Sequence, residues 1–326
     1  MEHQFTLSTE TTLSQNWQTV IKPFWETQVT ETFITARDGV KLYSIQAVHP
    51  SPKGTLVFSS GRTESAVKYK ELIYDLYQNG YTVVAMDHRG QGRSGRLLSD
   101  TEKGYVANFD DYVEDLHLFY QQVVQPLAPE KPYLLCHSMG GAIGALYNIK
   151  YPGQFQKIVF GSPMFGIRSP LPDSVAKAIL ALSGLANRVF SDESWYFLGQ
   201  GKMQHQPFEG NVLTQNEQRY QIYVEMATDY PDTRLGGVTV GWLDAALTGM
   251  EKVLQQASNI TTPTLVLQAG NDRVVANMAQ QQVCDQMPNC ALKVIPDAEH
   301  ELFMESDTYR LEALNAVLTF FATDEQ

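Results

Sequence analysis

Tyr133-Leu134-Leu135-Cys136-His137-Ser138-Met139-Gly140-Gly141 starts as a short apolar run, turns through two glycines and continues into an Ala/Leu/Ile-rich segment at 142–149. The run has strand character, and the segment after it reads as a helix. Strand, abrupt turn and helix with a serine at the apex form the layout of a nucleophile elbow. On so sharp a turn the serine hydroxyl projects clear of its neighbours, and the helix start offers backbone N–H groups to a developing negative charge. Small residues two places to either side let the turn close. The downstream place is Gly140. The upstream place holds Cys136, which departs from G-x-S-x-G but is small enough to fit. An ordinary strand-to-helix loop that happens to carry a serine is the bland alternative, and residues elsewhere in the chain weigh against it.

Around the elbow, apolar segments at 55–59, 81–86 and 157–160 alternate with helix-like segments at 69–78, 110–124 and 141–151. Such alternation predicts a mostly parallel central sheet flanked by helices on both faces. Upstream, 30–37 and 40–47 flank Asp38-Gly39 and read as a β-hairpin. Residues 1–29 form a polar lead-in anchored by Trp17, Phe24 and Trp25. Beyond Ser162-Pro163-Met164 the alternation stops, and 165–257 is mostly helical in character. Strands resume at 264–268 and 291–295, and an amphipathic helix at 308–321 closes the chain. The expected organisation is an α/β core in two pieces, 1–163 and 258–326, with a helical cap inserted at 164–257.

Composition narrows the function classes. A chain of 326 residues with 43% hydrophobic content can bury one large core. A formal net charge of −12 argues against nucleic acid, whose phosphates need a basic face, and against broad electrostatic adhesion to anionic membrane. Local apolar contact with a membrane stays open. The N-terminal residues lack a charged-then-apolar signal pattern, so the expected location is cytoplasmic, at most peripheral on the inner face of the membrane. Cys136 belongs to the elbow, and Cys284 and Cys290 read as incidental rather than as a disulfide framework.

A serine hydroxyl is a poor nucleophile until a base takes its proton, and that base needs a third group to orient it. Asp272 lies in Gly270-Asn271-Asp272-Arg273, directly after the segment at 264–268. His300 follows the segment at 291–295 through Asp297-Ala298-Glu299. The order Ser138, Asp272, His300 is that of α/β hydrolases. Asp272 could instead be a surface turn residue, and Asp297, Glu299 or Glu301 could supply the acid. His88 is the main rival base, whereas His137 should point elsewhere on the turn. For the oxyanion, the expected donors are the backbone N–H groups of Met139 and of Arg62, the latter in the loop after 55–59. Gly90-Gln91-Gly92-Arg93-Ser94-Gly95 matches G-x-G-x-x-G, but Asp87-His88-Arg89 separate it from the strand and no helix start follows, which disfavours a dinucleotide. His300-Glu301 lacks the second histidine of H-E-x-x-H, so neither metal nor cofactor is expected.

Ser60-Gly61-Arg62-Thr63-Glu64-Ser65, Asp87 to Gly95 and His137-Ser138-Met139-Gly140-Gly141 together resemble the monoacylglycerol lipase-like α/β hydrolases, especially their bacterial lysophospholipase branch. The similarity runs from the hairpin nearly to the end, through Ser162-Pro163-Met164-Phe165-Gly166 and His300-Glu301. It implies Ser138 as nucleophile, Asp272 as acid, His300 as base, Arg62 and Met139 as oxyanion donors, and Asp87 to Gly95 as structural support. Cys136 for glycine and Ser60 for a common histidine are the departures.

The implied activity is release of a fatty acid from a lysophospholipid or monoacylglycerol through an acyl-enzyme, with transacylation if a lipid alcohol outcompetes water. Cap residues such as Ile179, Leu182, Leu185, Val189, Phe190 and Trp195 should pack on the core or line an acyl pocket. Acidic residues match or exceed basic ones across the cap, which favours a neutral or zwitterionic single-chain lipid over a strongly anionic one. An aminopeptidase- or iminopeptidase-like hydrolase, using acids such as Glu193 or Glu225 to hold an α-amine, and a non-catalytic binding module are the alternatives. The residues fix no oligomeric state.

Overall fold

The computed structural model describes residues 5–169, 171–204 and 207–323, so the first residues of the polar lead-in lie outside the description. Eight strands, β1 (Val29–Thr35), β2 (Lys41–Ala47), β3 (Gly54–Ser59), β4 (Tyr81–Met86), β5 (Tyr133–His137), β6 (Ile158–Gly161), β7 (Thr264–Ala269) and β8 (Cys290–Ile295), form one sheet. Their order is β1-β2-β4-β3-β5-β6-β7-β8. The hairpin pairs antiparallel and joins β4 antiparallel; every later pair is parallel. Gly39, at φ +90°, makes the hairpin turn where a β-carbon would be strained.

The helices are α1 (Glu10–Asn16), α2 (Lys22–Gln28), α3 (Lys70–Gln78), α4 (Asp110–Phe119), α5 (Gln125–Leu127), α6 (Met139–Lys150), α7 (Asp173–Phe190), α8 (Glu217–Asp229), α9 (Val240–Gln256), α10 (Asn277–Gln286) and α11 (Asp307–Ala322). Side chains alternate across the sheet with period two. Leu134 and Cys136 of β5 therefore pack with Val57 and Phe160 against the face carrying α4, α6 and α9. Leu135 turns the other way, joining Phe58, Val159, Leu72 and Leu314 in the core under α3 and α11.

Three findings differ from the sequence reading. The lead-in is helical, with α1 and α2 joined by a π turn at Trp17–Ile21. Leu13, Ile21, Phe24 and Trp25 are buried; together with Trp17 they keep a helical spacing that the polar residues between them mask. Cys284 and Cys290 are not incidental. The turn after α10 carries the chain back into β8 and brings their α-carbons to 5.5 Å, and the two are disulfide-bonded. Within 165–257, α7 and α8 are joined through a long segment whose described residues, 191–204 and 207–216, hold one short 3-10 turn at Phe208–Gly210, and a 3-10 turn at Pro231–Thr233 lies between α8 and α9. On α7, Leu180 is buried but Leu182, Leu185, Val189 and Phe190 face outward, with Leu182 68% and Phe190 75% exposed. Among the described residues no helix is long and apolar enough to cross a membrane.

Candidate active site

The parallel register sets Ser59 beside Cys136 and His137 beside Gly161, so the carboxyl ends of β3, β5 and β6 are level. The loops leaving that edge are where ligands bind in open α/β sheets. Ser138, between β5 and α6, sits at φ 49° and ψ −117°, a conformation that L-residues rarely adopt. Its N–H donates to Gly161 O at 3.1 Å, and its carbonyl accepts from Gly141 N at 2.8 Å and Met164 N at 2.9 Å. The backbone around the turn thus holds it in place. At Gly140 a β-carbon would lie 2.2 Å from the Ser59 carbonyl, so only glycine fits there.

Cys136 fits for a reason local sequence does not disclose. It is fully buried, and the position across from it on α6 is Gly144, where a β-carbon would lie 2.7 Å from its sulfur. The space usually left by a glycine in the strand is left here by a glycine one helical turn into α6.

Beyond β7 and β8 the two remaining side chains converge on the serine. His300 Nε2 is 3.0 Å from Ser138 Oγ, and His300 Nδ1 is 2.7 Å from Asp272 Oδ2. The other Asp272 oxygen accepts from Val274 N at 2.8 Å and Val275 N at 3.0 Å. Burial pushes the Asp272 carboxyl up, but these donors, His300 foremost, more than offset it and leave its pKa below the usual value. With Nδ1–H donated to Asp272, Nε2 can accept the Ser138 proton.

The rivals are engaged elsewhere. Glu299 binds Asn271 and Arg273, and Glu301 binds Lys68. Asp297 occupies a turn at φ 60°. His88 meets Ser59 Oγ at 3.2 Å, and burial lowers its pKa to about 4. His3 and His205 lie outside the described residues.

The loop after β3 passes directly over the serine: a β-carbon at Gly61 would be 3.0 Å from Ser138 Cβ. Gly61 N donates to the Glu64 carboxylate, and Gln91 Nε2 donates to Gly61 O at 2.7 Å and Glu64 O at 3.2 Å. Asp87, in the same glycine-rich segment as Gln91, accepts from Ser65 Oγ, Ala66 N and Arg93 N. That segment therefore braces the loop, and no helix begins after it until Asp110. The backbone N–H groups of Arg62 and Met139 have no acceptor among the described residues.

Sequence reasoning missed a buried cluster behind His300. Lys68 Nζ lies 2.8 Å from Glu64 and 2.6 Å from Glu301. His137 Nδ1 meets Glu64 at 3.1 Å, and its Nε2 donates to the His300 carbonyl at 3.3 Å. Burial disfavours the His137 cation, yet Glu64 and Glu301 outweigh it and raise its pKa to about 9. Two cations thus balance two carboxylates. Donor atoms of Glu64, His137 and Glu301 lie close enough together to hold a metal ion, but the Lys68 ammonium already supplies the positive charge between the carboxylates. The four-residue spacing of Glu64 and Lys68 was the available signal.

Fold and convergent side chains define an α/β hydrolase. Residues 50–307 match the hydrolase family described as "Serine aminopeptidase, S33", and the chain belongs to that family. It is 40% identical over 305 residues to Lysophospholipase L2 of Escherichia coli (strain K12), covering 91% of this chain and 88% of that protein. Monoglyceride lipase of Rattus norvegicus is 30% identical over 271 residues, covering 82% and 80% of the two chains. A carboxyl esterase from Bacillus coagulans has the same fold, with a TM-score of 0.72 at 15% identity, covering 90% of this chain and 98% of that one. The expected family membership is thereby confirmed.

Proposed function

We propose that this protein is a carboxylic ester hydrolase releasing a fatty acid from single-chain lipid esters, lysophospholipids or monoacylglycerols, through an acyl-enzyme. The observation that carries the reading is the buried relay from Ser138 Oγ through His300 to Asp272, at 3.0 and 2.7 Å. The Lysophospholipase L2 and Monoglyceride lipase relatives support the lipid class.

In the proposed mechanism, Ser138 Oγ attacks the ester carbonyl while His300 Nε2 takes its proton, and Asp272 stabilises the imidazolium. The tetrahedral oxyanion accepts from the Met139 and Arg62 backbone N–H groups. Collapse breaks the bond to the alkoxy oxygen, which leaves with the proton from His300. Water, deprotonated by His300, then hydrolyses the acyl-enzyme, and a lipid alcohol in its place gives transacylation. Ser138→Ala should keep the fold and lose ester turnover by roughly 10³-fold or more. Full turnover by that variant would end the reading, as would failure of the wild type to react with a fluorophosphonate.

The family description raises the aminopeptidase alternative. Of the acids that could hold an α-amine, Glu193 is bound to the Ser99 N–H and hydroxyl at 2.8 Å each, which weighs against it. Lysophospholipid release compared with aminoacyl-arylamide release on one preparation decides between them.

In the same proposal 164–257 acts as the cap, and α7 touches the lipid surface transiently. Val175, Leu182, Leu185 and Val189 lie on one helical face and are exposed, as is the terminal Phe190. With a net charge of −12, apolar contact is the available mode of binding. Leu182→Glu should weaken sedimentation with neutral vesicles, and unchanged sedimentation would remove this part.

A further inference from the structure

Beside the loop that passes over Ser138 lies a cavity of about 550 Å³ whose walls include Arg62, Thr63, Gln200, Lys202 and Tyr223. The chain carries 36 acidic residues against 24 basic ones, yet this cavity is lined by two cations and, among the described residues, by no carboxylate. Arg62 is the more telling of the two. The three buried arginines have acidic partners, Arg89 with Asp115, Arg219 with Glu71 and Arg310 with Asp75, whereas the half-buried Arg96 is held by the carbonyls of Ser94, Thr101 and Asp232. Arg62 pairs with no carboxylate among the described residues. Its Nη2 donates to the carbonyls of Gly236 and Gly237 at 2.9 and 2.8 Å, its guanidinium lies 4.8 Å over the Trp242 ring, and its buried Nε has no partner. Burial lowers its pKa only to about 10, so it stays charged at neutral pH. A desolvated cation without a counter-ion is costly, and an anion brought by a ligand would offset that cost.

Resting on the ester-hydrolase reading above, we propose that this cavity is the subsite for the phosphate of the substrate headgroup, held by Arg62 with Lys202 at the outer wall. Arg62 then serves one substrate twice. Its backbone N–H faces the ester, and its side chain reaches away from it. An arginine side chain and a glycerol backbone from acyl carbon to phosphorus are both runs of about six covalent bonds, each spanning roughly 7 Å. A phosphodiester on the glycerol arm would therefore meet the guanidinium while the acyl carbon faces Ser138. A neutral glycerol headgroup would leave the cation unpaired. The charge balance of the whole cap pointed away from anionic headgroups, whereas the lining of this cavity is locally cationic.

The test uses the full chain with a lysophosphatidylethanolamine and a monoacylglycerol of the same acyl length, both below their aggregation concentrations. Wild type should favour the lysophospholipid in kcat/KM. Lys202→Gln, an exposed change that leaves the core intact, should lower the lysophospholipid-to-monoacylglycerol ratio about threefold, mainly through KM. Arg62→Met should lower it tenfold or more, equivalent to about 1.4 kcal/mol. An unchanged ratio in Lys202→Gln overturns the proposal even if Arg62→Met fails to fold. Inorganic phosphate separates the two sources of this chemistry. Competition with the lysophospholipid, weakened by Lys202→Gln, supports the headgroup subsite. Inhibition by phosphate with no change in the substrate ratio makes the cavity a free-anion site and refutes it. Absence of turnover on both lipids refutes the underlying reading instead.

Discussion

Replacing Gly144 by alanine puts a methyl group 2.7 Å from the Cys136 sulfur, 3.2 Å from Leu134 Cδ2 and 3.3 Å from Phe160 Cε1. The helix itself gains about 1 kcal/mol from the change. Overpacking a buried contact of this kind costs about 1–3 kcal/mol, so Gly144→Ala alone should be neutral to destabilising by about 2 kcal/mol. The pairing with Cys136 is the sharper measure. Cys136→Ala removes the sulfur and loses about 1 kcal/mol of buried packing. In the double variant the new methyl occupies the space the sulfur leaves, so it should be more stable than the sum of the singles by about 1–3 kcal/mol. Denaturant titration of all four proteins gives this coupling. Activity should follow it: displacing α6 moves Ser138 and the Met139 N–H, so Gly144→Ala should lower kcat and the double variant should recover it. Additive stabilities, within about 0.5 kcal/mol, would refute the idea that Gly144 makes room for the elbow cysteine.

Lys68→Met strands the Glu64 and Glu301 carboxylates in the interior, and a loss of about 3–5 kcal/mol should appear in urea denaturation. His137 has a folded pKa raised from 6.5 to about 9, so its stabilisation is complete below about pH 6.5 and is lost as pH rises through 9. The unfolding free energy from urea titrations should therefore fall over that interval by up to about 3 kcal/mol in the wild type, and His137→Gln should flatten the curve. Cys290→Ser opens the ring closed with Cys284 and should cost about 2 kcal/mol, with reductant having the same effect on wild type but none on the variant.

The elbow was legible because its signals are contiguous: an apolar strand, a serine, two glycines and a helix within a few residues of one another. Asp272 and His300 were legible through chain order, since a parallel sheet delivers the ends of successive strands to one edge. Distance in sequence hid the rest. Lys68 and Glu301 are 233 positions apart and meet only when the 3-10 turn leading into α3 and the loop after β8 cover the same face. The outward face of α7 has the composition of a packing face, and composition alone does not say which way a helix is turned.

The neutral foursome of Glu64, Lys68, His137 and Glu301 constrains how this chain can vary through descent. Because any one of the four, altered alone, leaves an orphan charge sealed in the interior, drift at these positions has no gradual route. Lineages are expected to inherit the set whole or to have exchanged it whole, much as a lock and its wards are recut together.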